Sequence, residues 1–403
     1  MVEIREVTTK RELRKYIAFP NELYKDVPQY IPPMFGDEMA DWDHDKNPAF
    51  SYCDAKCFLA YRDGKIVGRV GAIHSRLSNE KWDTNRTRFT QLDFIDDPEV
   101  SAALMGAVEE YAAGFGCTEV HGPLGFCDLD REGLLIEGFD RKGMFITYYN
   151  HPYYREHLER LGYDKDVDWI EYLISVPYDE KTTTHLQRLS DYVCRRSHLH
   201  VVELKSRRQI KKYVKKVFEL LNVAYAGLYS TVDLTDAQIK KYTDKFLPMI
   251  NPDLVCFVTD DNDDLIAFGV SAPSMANALK KSNGKLFPTG FIGILRSLKI
   301  NDTLDLFLIA VRPDYQKSGA NAVLMNHVLQ GCQKMGIKVA ETGPQLELND
   351  KILTQWKMFE KEQHKRRRCF IKTIAPSSAE EGAKAATSDE SAGQETGAIQ
   401  TSV

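Results

Sequence analysis

The chain has 403 residues, 43% apolar and 28% charged, with a net charge of −5. This is the composition of a globular protein long enough for two domains with sizeable cores. The acidic balance argues against a general nucleic-acid binder, so no DNA partner is expected. No run reaches the roughly 18 apolar residues needed to span a bilayer. The opening Met-Val-Glu-Ile-Arg-Glu-Val reads as a strand and not as a signal peptide. The eight cysteines are scattered, with no Cys-x-x-Cys pair. Reduced buried thiols, no metal and a cytoplasmic location are therefore expected.

Two similar halves and a tail are predicted in chain order: residues 1–176, a polar and partly helical linker over 177–199, a second half over 200–373, and a tail over 374–403. The tail is mostly Ala, Ser, Gly, Glu and Thr and is expected to be disordered. The first half opens with a strand at 2–7 and a helix after Thr8-Thr9. Residues 58–61 and 66–73 flank an Asp63-Gly64 turn, a strong hairpin signal. A strand at 89–94, a helix from Asp97-Pro98-Glu99 to Gly114, a strand at 119–122, a helix at 152–161 and a closing strand at 169–175 follow. The second half repeats the order: a basic amphipathic helix at 209–224, a hairpin of 254–260 with 265–272, a strand at 306–311, a helix to Gly336, a strand at 339–343, a helix at 350–361 and a closing strand at 369–373.

The segment from Asp305 to Gly336 is the most informative. A short apolar strand is followed by Arg312-Pro313-Asp314, a Gln-Lys-Ser-Gly-Ala turn at 316–320 and an amphipathic helix. Backbone N–H groups at a helix start, with the helix dipole behind them, bind anions. A glycine there lets the backbone approach a diphosphate closely. Gln316, Lys317, Ser318, Gly319, Ala320 and Asn321 are thus the candidate phosphate-binding residues. The segment resembles the Gln/Arg-x-x-Gly-x-Gly/Ala element of the GNAT superfamily of acetyltransferases. Gln316 and Gly319 match it, and Asn321 stands where the last Gly or Ala is usual.

The element order resembles that of the GNAT fold twice over. The implied class is α/β (α+β), with two tandem GNAT-like domains, each a mixed, mostly antiparallel sheet flanked by helices. In the first half, Tyr24-Lys-Asp-Val-Pro, Lys46-Asn47-Pro48-Ala-Phe50, Gly68-Arg69, Gly122-Pro123-Leu124, Glu137-Gly138-Phe139-Asp140 and Tyr149-Asn150-His-Pro-Tyr153-Tyr154 resemble a tandem-domain bacterial set that includes the bacterial ceramide synthases. The resemblance implies transfer of an acyl group from acyl-CoA to an amine, with a sphingoid-type long-chain amine or lipid as one acceptor. It implies backbone N–H groups near Ile309, Ala310 and Val311 that polarise the thioester carbonyl. Asn349 stands where these enzymes carry an Asn seven residues before an acidic tyrosine, but that later position is Trp356; in the first half Asn150 is followed at the same spacing by His157. Two alternatives stay open: a tandem-GNAT transferase that uses aminoacyl-tRNA, and a non-catalytic acyl-CoA-binding or regulatory protein.

CoA is expected in the second half, because the first half's helix starts Asp96-Asp97-Pro98-Glu99, which lacks one N–H and would repel a diphosphate. The catalytic candidates are Asn349, Tyr154 and Asp305. Tyr154, with Tyr153, is either a phenol for the cleft or a core aromatic, and Asp305 is either a base or a surface carboxylate. His121 reads as a structural histidine. Residues 122–140, with Asp128, Asp130, Glu132, Glu137 and Asp140, are either an acceptor loop or a packing insertion. The run Lys365-Arg366-Arg367-Arg368 grips the 3′-phosphate of CoA, touches an anionic membrane as a peripheral contact at its inner face, or forms a solvated turn. Residues 275–298 line an acyl tunnel, touch lipid, or pack between the domains.

Overall fold

The computed structural model describes residues 1–349 and 354–375. The tail from residue 376 and the first part of the helix expected at 350–361 lie outside the described residues. The first half runs β1 (Glu3–Glu6), α1 (Lys10–Leu23), α2 (Phe35–Asp41), β2 (Cys53–Arg62), β3 (Lys65–Ser75), α3 (Arg76–Trp82), β4 (Arg86–Phe94), α4 (Pro98–Ala113), β5 (Glu119–Gly122), β6 (Leu134–Glu137), α5 (Tyr153–Arg160) and β7 (Asp164–Ser175). Helix α6 (Glu180–Ser197) follows. The second half runs β8 (His200–Val201), α7 (Arg207–Tyr225), α8 (Asp236–Phe246), β9 (Val255–Thr259), β10 (Leu265–Pro273), α9 (Ala276–Ser282), α10 (Gly290–Ser297), β11 (Thr303–Val311), α11 (Ala320–Met335), β12 (Val339–Thr342), β13 (Gln345–Leu346) and β14 (Lys361–Thr373).

Local chemistry sets most boundaries. Thr9 and Glu12 close a reciprocal capping box on α1. Asp63 and Gly64 both take positive φ (51° and 75°), which makes the β2–β3 turn tight. Asp97 caps α4, with Pro98 in its first turn.

The two halves share one sheet, in the order β1-β2-β3-β4-β5-β14-β7-β12-β11-β10-β9-β8. The last strands are exchanged. β14 pairs with β5 of the first half (Phe370↔Gly122), and β7 pairs with β12 of the second (Leu173↔Glu341). β7 and β14 then pair with each other from Lys361↔Ile174 to Ile371↔Asp164. The expected closing strands close the opposite halves, and side chains explain why. Phe370 and Ile374 complete the apolar core around Phe89 and Val120, while Ile174 joins the core of Leu304, Ile337 and Ala340.

Two expectations change in consequence. The run 365–368 is the middle of the 13-residue strand β14 and not a turn, with Lys365 and Arg367 each 1% exposed. Lys361, expected to end a helix, begins that strand. The linker holds α6, whose Val193 packs with Ala320, Val323 and Leu324 of α11. In the insertion 275–298, Met275, Leu279 and Ile294 pack against Ile31, Met34 and Phe145, the interdomain reading.

The exchange makes the halves interdependent. Residues 1–176 expressed alone leave the β5 edge and its core open, so no cooperative thermal transition is expected, whereas the full chain melts in one. Phe370→Ala, wholly buried, is expected to cost about 3–5 kcal/mol. It should speed amide exchange in β5, more than 240 positions away in sequence by the Phe370↔Gly122 register.

Candidate active site

β11 and β12 run parallel from Thr303↔Val339 to Leu306↔Thr342 and then part. On the other side of β11, Val270 pairs with Leu308 but Ser271 pairs with Leu306, so Phe307 is a bulge. A bulge reverses which way the following backbone groups face. Beyond it the Arg312 N–H donates to Ile266 O at 2.8 Å. By the alternation of an antiparallel ladder, Leu308 and Ala310 turn to β10, and the N–H groups of Ile309 and Val311 face the opening. Of the three expected donors, Ala310 is therefore turned away. The Ile309 carbonyl, on the same open side, accepts the Tyr225 hydroxyl at 3.0 Å.

The first half has the same device, filled. Arg69 pairs with Asp93 but Gly71 with Thr90, which leaves a bulge at Gln91 and Leu92. Trp42 Nε1 donates to Gln91 Oε1 at 2.9 Å, Gln91 Nε2 donates to Glu38 at 2.7 Å, and Arg131 reaches the same carboxylate at 3.0 Å. At the start of α4, Arg62 already pairs with Asp97 and Glu99.

In the second half the opening leads into a cavity of about 160 Å³ lined by Ile309, Met325, Asn349 and Trp356, among others. A second cavity of about 220 Å³ adjoins it, walled by apolar groups such as Val214, Phe218, Phe246 and Phe257. Asp128, Glu132, Tyr225 and Phe307 belong to both. Burial pushes the Asp128 carboxyl up to about 6, and its Oδ1 has no hydrogen-bond partner among the described residues. Burial, and then the neighbouring Asp128, push Glu132 well above the usual carboxylate range. Asp130 is committed elsewhere: it accepts the Phe126 N–H at 2.9 Å and the Tyr242 hydroxyl at 2.8 Å. Arg88 holds the loop from below, donating to Gly125 O at 2.9 Å. Burial pushes the Tyr225 phenol up to about 12.

The other candidates fall in different places. Asn349 lines the first cavity, with its N–H on Leu346 O at 3.0 Å. Trp356 is buried and donates Nε1 to Gln345 Oε1 at 3.0 Å. Gln316 and Lys317 are exposed at the start of α11, Ser318 and Asn321 are half-buried, and Ala320 is core. Gly319 has φ 91°, and a Cβ there would meet Val193 Cγ2 of α6 at 2.8 Å. Its conformation is thus demanded by the protein itself. Tyr154 is wholly buried, 2.7 Å from the Tyr24 hydroxyl, and accepts the Phe94 N–H at 2.9 Å; it is core. Tyr153 donates to Phe94 O at 2.6 Å.

Asp305 is no surface carboxylate. It is 0% exposed, and burial followed by Glu341 pushes it well above its usual range. It faces the interior of the sheet, where Lys365 pairs with Glu171 and Glu341 and Arg367 with Glu171. Arg366 and Arg368 both pair with Asp168, so the basic run is bound within the protein. His121 Nδ1 lies 2.9 Å from the Tyr229 hydroxyl, and burial lowers it to about 4, which keeps it neutral.

No family model matches the chain. In sequence it is 29% identical over 377 residues to Protein YghO of Escherichia coli (strain K12), covering 92% of this chain and 95% of that protein. It is 26% identical over 341 residues to a bacterial ceramide synthase of Caulobacter vibrioides, covering 83% and 86%. In structure it superposes on a tandem GNAT protein from the clavulanic acid biosynthesis pathway with a TM-score of 0.55 at 11% identity, over 94% of this chain and 100% of that one. The chain has a tandem GNAT fold. A second GNAT neighbour, the glucosamine N-acetyltransferase region of a fungal multi-domain β-N-acetylglucosaminidase, gives a TM-score of 0.54 at 10% identity, over 92% of this chain and 38% of that one.

Within this tandem GNAT architecture, Tyr225 was invisible to sequence reasoning. It ends a basic amphipathic helix, and only the fold sets it against Ile309. Asp128 and Glu132 stood in a loop whose acidic content was the available signal. The packing at Gly319 yields a test. Gly319→Ala is expected to lower Tm by strain in the left-handed region, about 1–2 kcal/mol, plus the clash with Val193. Adding Val193→Ala should restore the steric part but not the strain, as read by thermal melting of both variants.

Proposed function

We propose that this tandem GNAT protein is an N-acyltransferase that moves a fatty acyl group from acyl-CoA to the amine of a long-chain, sphingoid-type acceptor. The observation that carries this reading is the pair of joined cavities. A backbone opening at Ile309 meets an apolar chamber, and Asp128 and Glu132 stand where the two join. An apolar chamber suits a hydrocarbon chain, and buried carboxyls beside it suit a cationic amine head. The similarity to a protein named a bacterial ceramide synthase supports the same acceptor class.

The start of α11 fits a diphosphate on its exposed rim. Gln316, Lys317 and Ser318 would hold it, with Asn321 behind them and the positive end of a 16-residue helix beneath. Gly319 contributes backbone geometry, since its side is closed by Val193. Acyl-CoA supplies a thioester carbonyl, whose C–S bond is exchanged for a C–N bond to the amine. The N–H of Ile309 polarises the carbonyl oxygen. The Asp128 carboxylate takes the proton that the amine nitrogen must lose, its value near 6 leaving it ionised at neutral pH and still basic enough to act. Tyr225 keeps its proton at that pH and gives it to the departing sulfur, filling the role that Trp356 cannot.

Two measurements test this. Calorimetry on the full chain should show palmitoyl-CoA binding more tightly than CoA; no binding of either sinks the proposal. With palmitoyl-CoA and sphinganine, free thiol should appear, and kcat/KM should rise with pH through about 6 as Asp128 loses its proton. Asp128→Asn should lower kcat by about 10²–10⁴ and erase that limb. Because folding raises the Asp128 value, its charge opposes folding above pH 6, so the same variant should melt no lower than the wild type. Tyr225→Phe should lower kcat with little change in KM for the donor.

A further inference from the structure

We infer that the outer face of α9–α10 docks this protein on an anionic lipid bilayer. Five large apolar side chains stand in water between positions 287 and 300: Phe287 (77% exposed), Phe291 (40%), Ile292 (57%), Leu295 (54%) and Ile300 (72%). Exposed apolar side chains scattered singly are ordinary, but a cluster of this kind marks a contact surface. The inner face of the same helix is fully used, with Ile294 packed on Met275, Leu279 and Phe145. The outer residues therefore face away from any core.

Charge decides the partner. Residues 275–301 contain no Asp or Glu and carry Lys280, Lys281, Lys285, Arg296 and Lys299, in a chain whose net charge is −5. Lys280 is spent on the first half, donating to the carbonyls of Val27 at 2.8 Å and Pro28 at 2.5 Å. Lys281, Lys285, Arg296 and Lys299 are exposed and form no ion pair among the described residues. Lys142 stands beside them, donating to Asn277 Oδ1 at 2.7 Å. An apolar face ringed by cations matches the boundary of an anionic membrane, where chains accept the apolar groups and headgroups accept the charges. A second copy of the chain fits poorly, because a symmetric contact would set these cations against each other.

The position of the patch agrees with the site. Phe246 and Phe307, which pack on Phe145 in the core that also takes Ile294, wall the 220 Å³ cavity. The core beneath the docking face and the wall of the chamber thus share side chains. The basic run 365–368 is excluded as the membrane contact, since its side chains are paired inside the sheet.

The inference stands apart from the proposed reaction, because its test needs no acyl donor or acceptor. The full chain is sedimented with vesicles of phosphatidylcholine alone and of phosphatidylcholine with phosphatidylglycerol. Binding is expected with the anionic vesicles, falling as salt rises. Phe287→Ser with Ile292→Ser and Leu295→Ser, and separately Lys281→Glu with Lys285→Glu, should each lower the partition coefficient by at least about tenfold. Thermal melting and far-UV circular dichroism should be unchanged, which shows that the variants fold. Wild-type protein that ignores anionic vesicles, or variants that bind as well as wild type, overturn the inference. A dimer in light scattering that the triple serine variant dissolves also overturns it, in favour of a second copy.

Discussion

The structure turns on a set of charges buried at the centre of its sheet. Lys365 and Arg367 project from β14, each 1% exposed, toward Glu171 of β7, 0% exposed, and Lys365 also reaches Glu341 of β12. Two cations face three carboxyls there once Asp305 is counted. Burial works to raise Glu171, but Arg367 and Lys365 outweigh it and hold it below its usual range. Burial, and then Glu341, push Asp305 well above the usual carboxylate range, and burial raises Glu341 as well. Burial lowers His364 to about 4, so it adds no charge. Such a cluster adds little net stability over an apolar one, but stripping one partner leaves a bare charge at a cost of about 3–5 kcal/mol. It ties β14 to β7 and β12. Arg366 and Arg368 pair with Asp168, so both faces of β14 in this register are tied to β7 by charge.

The halves repeat one backbone device and use it differently. Each has a bulge on its fourth strand beside a parallel fifth strand, and each anchors the parting with an N–H on a carbonyl at the end of the parallel ladder: Leu124 on Phe89 O at 3.0 Å, just past the Arg88↔His121 pair, and Gly343 on Leu306 O at 3.1 Å. In the first half Trp42, Gln91, Glu38 and Arg131 occupy the gap. In the second the gap leads into the cavity, and the Tyr225 hydroxyl reaches it. Position 88 against 305 shows the same divergence, with an arginine that props a loop in one half and a wholly buried aspartate in the other.

Much of this was legible in the sequence, and the failures share a cause. Capping residues, the Asp63-Gly64 turn and the glycine after α11 act within a few residues, so the order of elements followed from them. The exchange of β7 and β14 did not, because pairing partners lie about two hundred residues apart and both strands alternate alike. The run 365–368 read as solvated because four adjacent cations usually are; what buries two of them is Glu171 and Glu341, from strands that sequence does not place alongside. Gly319 matched a phosphate motif, yet Val193 of a segment read as a linker makes the same demand on it. Tyr154 and Asp305 were polar groups with chemistry to offer, and each proved wholly enclosed.

The exchanged strands also build the site. Gly133 ends the loop that carries Asp128 and Glu132, at φ 73°, and a Cβ there would lie 2.7 Å from Arg367 Cβ and 3.2 Å from the Trp169 ring. Its N–H closes the loop on Pro123 O at 2.9 Å. β6, which follows directly, pairs with β14 at Arg368↔Leu134 and Arg367↔Leu135. The loop of the first half is therefore seated on a strand of the second. From the other side, the turn after Tyr225 is tied down by the first half: Trp82 Nε1 donates to Thr231 O at 2.8 Å, and Arg88 to Ser230 O at 3.0 Å. Asp128 and Tyr225 belong to different halves, and neither half alone fixes their separation. The charge cluster, by holding β14 against β7, sets that separation, and with it the place where an orphaned carboxylate oxygen and a phenol meet the opening at Ile309.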